Sequence, residues 1–183
     1  MEKEETIVFG GGCFWCTEAV FTMIKGVVSV TPGYAGGTKP NPTYEEVSRG
    51  DTGYAESARV TYDPSVTIFR NLLTIFFASH DSTTLNRQGS DVGSQYRSVV
   101  FYTTEAQKEE TEAFIKEIDA SHMGGMAVVT QVEKLTTFYD AEQYHKDYYK
   151  HHKREPYCML VINPKLEKVQ KEFASLLKTI DVQ

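Results

Sequence analysis

Apolar and polar positions along this chain switch repeatedly between a two-residue and a helical period. Thr6 to Phe9 (TIVF) is a β-branched and aromatic run that predicts a strand, and Gly10-Gly11-Gly12 breaks it. Phe14, Val20, Phe21 and Ile24 then recur at roughly helical spacing, which gives strand, tight turn, helix in immediate succession. Gly26 ends that helix, Val27 to Val30 predicts a second strand, and TPGYAGGTKPNP, dense in Gly and Pro, predicts a loop. Thr43-Tyr44-Glu45-Glu46 has the form of a capping box, so a short helix starts at Thr43 and stops near Gly50. Ala58 to Tyr62 alternates as a half-buried strand should, before Asp63-Pro64 turns the chain.

In the second half, Ile68, Leu72, Ile75, Phe76 and Ser79 mark one helix face, and Tyr96 to Tyr102 (YRSVVFY) reads as a buried strand. Between them lies HDSTTLNRQGSDVGSQ, polar, aperiodic and longer than a connection needs to be unless it carries function. A helix follows from Thr104, capped by Gln107, through Phe114 and Ile118; then come a strand over 127–132 and a Tyr-rich helix around 140–150. Leu166, Val169, Phe173, Leu176, Leu177 and Ile180 form the clearest stripe and predict a C-terminal helix over about 164–180, begun by Pro164. With no repeats or linkers, the pattern predicts an α+β (mixed α/β sandwich) fold. One domain spans 1–183, with a central mixed sheet flanked by helices.

The bulk numbers remove several function classes. A chain of 183 residues with 40% hydrophobic and 24% charged residues is an ordinary globular composition, enriched by eleven Tyr and ten Phe, residues that often line pockets. A net charge of -6 speaks against a nucleic-acid partner, which needs clustered Lys and Arg. MEKEET lacks an apolar signal core, and no later apolar run approaches the ~20 residues of a membrane span, so a cytoplasmic location is expected. The odd count of three cysteines, two of them spaced C-x-x-C, favours redox or metal chemistry over a disulfide framework.

That pair sits in GGGCFWCTEAVF, Gly10 to Phe21. Cys13 falls at a helix start, where free N–H groups and the macrodipole favour the thiolate and a lowered pKa is expected. Cys16 lies one turn on, where a second sulfur can attack an oxidised first one. Two alternatives stand beside this reading. One is a zinc site from Cys13, Cys16 and Cys158 with His145, His151 or His152; the other is a general thiol–disulfide oxidoreductase. A third, for Cys158 alone, is a small buried hydrophobe.

At GGCFWCTEAVF the sequence resembles the A-type peptide methionine sulfoxide reductases. GYAGG, NPTYEEV, GDTGYAE, HDSTTLNRQGSDVGSQYRS and AEQYH are similar to that family's blocks and follow its order, over about residues 6 to 165. The resemblance implies reduction of methionine-S-sulfoxide, in peptides and as the free amino acid, with thioredoxin as reductant; a monomer without cofactor or metal is expected. It implies Cys13 as nucleophile and Glu56 as proton donor. Tyr44 and Tyr96 would be hydroxyl donors to the sulfoxide oxygen, Asp91 would orient the site, and Phe14 and Trp15 would cradle the S-methyl group. It leaves Cys16 as the favoured resolving thiol with Cys158, followed by an apolar strand-like run, as alternative. Tyr54 stands where many relatives carry His, and Cys16 where many carry glycine.

Overall fold

The computed structural model describes residues 4–121 and 125–179. Its main sheet has six strands: β1 (Glu5–Gly11), β2 (Val27–Ala35), β3 (Ala55–Tyr62), β6 (Ser98–Tyr102), β7 (Gln131–Lys134) and β8 (Phe138–Asp140). Their order is β7-β6-β1-β3-β2-β8, antiparallel throughout except for the parallel pair β6 and β7. The two short strands β4 (Arg87–Gln88) and β5 (Asp91–Val92) form a separate hairpin inside the long polar segment. The helices are α1 (Phe14–Thr22), α2 (Tyr44–Ser48), α3 (Phe69–Ser79), α4 (Glu105–Ser121), α5 (Tyr148–His151) and α6 (Asn163–Glu172). This is the mixed α/β architecture expected.

Side chains alternate across the sheet, so Ile7 and Phe9 of β1, Val60 and Tyr62 of β3 and Val100 of β6 share one face. Phe21 and Ile24 at α1, Leu72 and Phe76 of α3, and Leu166 and Val169 of α6 close over that face to form the main core. The opposite face is thinner: Val8, Ala35, Val99 and Phe101 pack beneath Leu135 and Phe138. Glu56 has the parity of Ala58 and Val60, which directs its carboxyl to the helix-covered side.

Several expectations need correction. The strand at Val27 continues through Pro32, Gly33 and Tyr34, because both of its edges are occupied: β3 pairs along its length and β8 pairs Gly33 with Asp140. The strand placed at 127–132 is shifted to Gln131–Lys134, where the parallel register with Val99 to Tyr102 fixes it. The Tyr-rich helix around 140–150 is three pieces: the end of β8, a 3₁₀ turn at Gln143–His145 and the single turn α5. The C-terminal helix stops at Glu172. A 3₁₀ turn, Ala174–Leu176, then brings Leu177 into a bridge with Ile24; Ile180 lies outside the described residues. Cys158 opens a π-helical turn, Cys158–Ile162, that runs into α6 in place of the strand-like segment its apolar run resembled.

Candidate active site

The first strand ends and the first helix begins within two residues. Gly12 makes this possible: its φ of +98° suits glycine, and a Cβ there would meet Gln88 at 2.8 Å. Cys13 is therefore the N-cap of α1, 8% exposed, with its carbonyl accepting from the Cys16 N–H at 3.1 Å. Glu56, 1% exposed on the central strand β3, accepts a hydrogen bond from the Phe14 N–H at 3.2 Å. The carboxyl thus occupies the helix N-terminus beside the thiol.

Burial dominates the electrostatics. It pushes the Cys13 thiol well above its ordinary value, the Glu56 charge and Cys16 push further, and the Trp15 N–H and Tyr157 hydroxyl pull back only in part. The lowered pKa expected for a helix-start cysteine is accordingly overturned, since desolvation outweighs the helix terminus. Burial likewise raises Glu56 to about 8, helped by Asp91 and opposed by the Phe14 N–H and the Cys13 thiol. At neutral pH both groups carry their protons.

The remaining predicted residues gather around this pair. Tyr44, at the start of α2, is half-buried. Burial, with Glu56 and Cys13 nearby, pushes its hydroxyl up to about 12. The capping box foreseen at Thr43 is present, with Glu46 N–H donating to Thr43 Oγ1 at 3.3 Å and Thr43 N–H to Glu46 Oε2 at 3.0 Å. Tyr96 closes the 3₁₀ turn Ser94–Tyr96; burial raises it, and Glu56, Tyr44, Asp91 and Cys13 all act in the same direction. Asp91 sits in the β4–β5 hairpin and accepts from the Tyr157 hydroxyl at 2.8 Å. The long polar segment therefore delivers both Asp91 and Tyr96.

Phe14 is fully buried against Tyr34 (5.8 Å between ring centroids), His145 (5.0 Å) and Tyr44 (6.2 Å). Trp15 is partly exposed, stacked on Tyr148 at 3.7 Å with its ring N–H donating to His145 Nδ1 at 3.0 Å. Cys16, 3% exposed, lies across Tyr157, whose hydroxyl is 3.9 Å from its sulfur. Cys158 is wholly buried in the main core alongside Cys16. All three cysteines are free thiols.

Two residues at the site, Tyr157 and Glu142, carry no individual signal in the sequence, and a third, His145, enters the sequence reading only as a zinc-ligand candidate. Tyr157 bridges Asp91 and the two N-terminal cysteines. Glu142 accepts from the Tyr34 hydroxyl at 2.8 Å and from the Tyr44 N–H at 2.9 Å, pinning α2 to β2. His145 is fully buried and kept neutral by its burial, and its Nε2 stands 3.5 Å from Glu142. Glu142 and His145 fall within AEQYH, so block membership was the available signal; Tyr157 had only its adjacency to Cys158. Among the described residues no group of three or more His, Cys, Asp and Glu gathers as a metal site.

A buried thiol facing a protonated carboxyl, ringed by tyrosine hydroxyls and with a second thiol one turn behind, defines a thiol-dependent oxidoreductase site. The family model for peptide methionine sulfoxide reductase matches residues 5–177, and the chain belongs to that family. It is 56% identical over 169 residues to peptide methionine sulfoxide reductase MsrA of Sulfolobus acidocaldarius, covering 92% of this chain and 95% of that one. Identity with MsrA of Thermus thermophilus is 50% over 175 residues, covering 96% and 98%. Among solved structures, reduced Mxr1 of Saccharomyces cerevisiae superposes with a TM-score of 0.76 at 38% identity, covering 85% of this chain and 90% of that one. The same yeast protein in complex with Trx2 matches at 0.54 and 30% identity, covering 78% and 84%.

Proposed function

We propose that this protein reduces methionine-S-sulfoxide, free and in peptides and proteins, to methionine, and that thioredoxin returns it to the thiol form. The observation that carries the reading is the Glu56 carboxyl, buried beside Cys13 and protonated at neutral pH. Oxide is a hopeless leaving group, so sulfoxide reduction needs a proton on oxygen as the S–O bond breaks. Glu56 supplies it, and the Tyr44 and Tyr96 hydroxyls stabilise the charge that develops on that oxygen. Cys13 sulfur attacks the sulfoxide sulfur, and its own proton replaces the one Glu56 gave. Hydroxyl then passes to Cys13, which becomes sulfenic acid, and methionine leaves. Phe14 and Trp15 form the apolar wall for the S-methyl group, while Asp91 acts through the Tyr157 hydroxyl it holds.

Cys16 then condenses with the sulfenic acid, forming a Cys13–Cys16 disulfide and water. Cys158, deeper in the core beside Cys16, is the alternative partner or a second relay. The yeast complex with Trx2 supports a thioredoxin as the protein that reopens the disulfide. The chain acts as one domain and a monomer, repairing oxidised proteins. No helix among the described residues is long and apolar enough to cross a membrane, and bacterial and archaeal relatives favour a cytoplasmic setting.

The test is a single turnover of reduced protein with excess L-methionine-S-sulfoxide and no reductant. Wild type should release one methionine, lose two thiols and show a Cys13–Cys16 link by peptide mass spectrometry. Cys13→Ser should release none. Absence of methionine from wild type with Cys13 still free would overturn the reading, and a Cys13–Cys158 link would move the relay.

A further inference from the structure

A very small cavity lies between α1, α3 and α6, and Glu56, Tyr44 and Tyr96 are not among its lining residues. It measures about 10 Å³, room for roughly one water, and its walls include Cys16, Thr17, Phe76, Ser79, His80 and Lys165. Lys165, in the first turn of α6, brings a cation to a wall otherwise made of neutral groups. Among the described residues it makes no ion pair and no hydrogen bond. Its neighbour His80 is engaged at both ring nitrogens, Nδ1 with the Phe76 carbonyl at 2.6 Å and Nε2 with Ser98 Oγ at 2.7 Å, and is neutral at physiological pH. No carboxylate lines the cavity to neutralise the ammonium.

We infer that Lys165 is a positioning residue for the second half of the catalytic cycle, its ammonium favouring the thiolate of Cys16 when that sulfur attacks the Cys13 sulfenic acid. The inference rests on the reading of Cys16 as the resolving thiol. In this step the S–O bond of the sulfenic acid breaks and an S–S bond forms. Cys16 sulfur is oxidised, Cys13 sulfur is reduced, and the Cys16 proton ends on the departing hydroxide as water. A thiolate is the competent nucleophile, and Cys16 is poorly placed to form one unaided. Burial raises it chiefly; Asp91 from the β4–β5 hairpin and Cys158 from the π turn raise it further. Lys165 is the largest opposing influence and the Tyr157 hydroxyl the next. Cys13 on the same helix is the target once oxidised, and His80 at the end of α3 contributes no charge. The two halves of the reaction thus draw on different neighbours: an acid beside Cys13 and a cation beside Cys16.

The test separates the half-reactions by rapid quench in a Cys158→Ser background, following methionine release and thiol loss from about two pH units below neutrality to about two above. Lys165→Gln should leave methionine release unchanged. It should slow thiol loss roughly tenfold near neutral pH and move the acid limb of that profile to higher pH. Lys165→Arg should recover most of the rate, because it keeps the charge. An unchanged thiol-loss profile in Lys165→Gln overturns the inference, as does a loss that Lys165→Arg fails to recover or that strikes methionine release equally. Cys16→Ser with Cys158 intact is the control for the underlying reading: a second thiol still lost at the wild-type rate would place the failure in the Cys16 assignment, not in Lys165.

Discussion

Cys13 and Cys16 stand one helical turn apart and occupy different media. Cys13 caps the helix among Phe14, Tyr34, Val47, Tyr54 and Ala141, with the protonated Glu56 carboxyl beside it. Cys16 belongs to the main core with Val20, Phe21, Phe76 and Cys158, and the charge that acts on it most strongly is that of Lys165. Burial raises both thiols, so neither is reactive by default. What separates them is which charge each neighbour contributes and when. Beside Cys13 a carboxyl is held protonated, whereas at Cys16 the Lys165 charge offsets part of what burial does to the thiol. On the proposed reading, two sulfurs of one C-x-x-C spacing serve consecutive steps because their surroundings differ.

The largest effect expected on this contrast comes from Glu56→Gln. Methionine release in a single turnover should fall at least roughly 10²-fold, the usual scale for a general acid. In wild type the same rate should decline as pH rises through about 8, because the active form is the protonated carboxyl. Stability moves with it, and the sign is fixed. A group whose folded pKa is raised from 4.5 to about 8 stabilises the fold below the lower value and loses that contribution through the upper one. The Gln variant should therefore unfold at higher temperature than wild type at pH 9 and lose this advantage toward pH 5. A variant that turns over like wild type, or whose advantage is independent of pH, would break the proton-donor side of the comparison.

Tyr157→Phe gives a smaller effect and probes the seam between the two cysteines. Its hydroxyl donates to Asp91 at 2.8 Å and lies 3.9 Å from the Cys16 sulfur, so its loss removes the hydrogen-bond partner of Cys16 and leaves Asp91 without that donor. Thiol loss should slow about tenfold and methionine release less, since a hydrogen bond to a charged group contributes about 1.5–3 kcal/mol. Equal slowing of both steps in rapid-quench traces would make Tyr157 part of the first site and erase the seam.

How much of this was legible from sequence follows the range of the interactions. The strand–glycine–helix junction, the Thr43 capping box and the Ile68 to Ser79 stripe are local patterns, and the structure has them at β1–α1, α2 and α3. Pro32 and Gly33 read as loop because local propensity disfavours them in strands. Pairing on both edges of β2, with the Ala141 N–H donating to the Pro32 carbonyl at 2.9 Å, overrides that preference. Glu56, Tyr44, Tyr96 and Asp91 come from four separate elements, so only family resemblance brought them together before the fold did. Tyr157 was one of eleven tyrosines with no period or motif to mark it. The Cys13 pKa differs from expectation for a related reason: a helix start is visible in sequence, whereas burial to 8% exposure is a property of the packed whole.

The smallest expected effect concerns Tyr54, in the GDTGYAE block two residues before the acid. Tyr54 is 2% exposed and belongs to the same apolar cluster as Cys13, which makes it a candidate for tuning Glu56, two residues on. Its hydroxyl points elsewhere: it donates to the Lys39 carbonyl, its ring lies over Gly37, and the Tyr139 ring meets it edge-on at 6.1 Å. Gly37 has no room for a side chain, because a Cβ there would sit 2.3 Å from the Tyr54 ring. The residue thus anchors the GYAGG loop and does not hydrogen-bond the acid. Tyr54→His should lower the melting temperature by about 2–4 °C for each ~1 kcal/mol of lost packing. Single-turnover methionine release should stay within roughly twofold of wild type, and its decline should remain near pH 8. A shift of that limb in Tyr54→His, with the fold intact by circular dichroism, would extend the proton-donor side of the site outward to position 54.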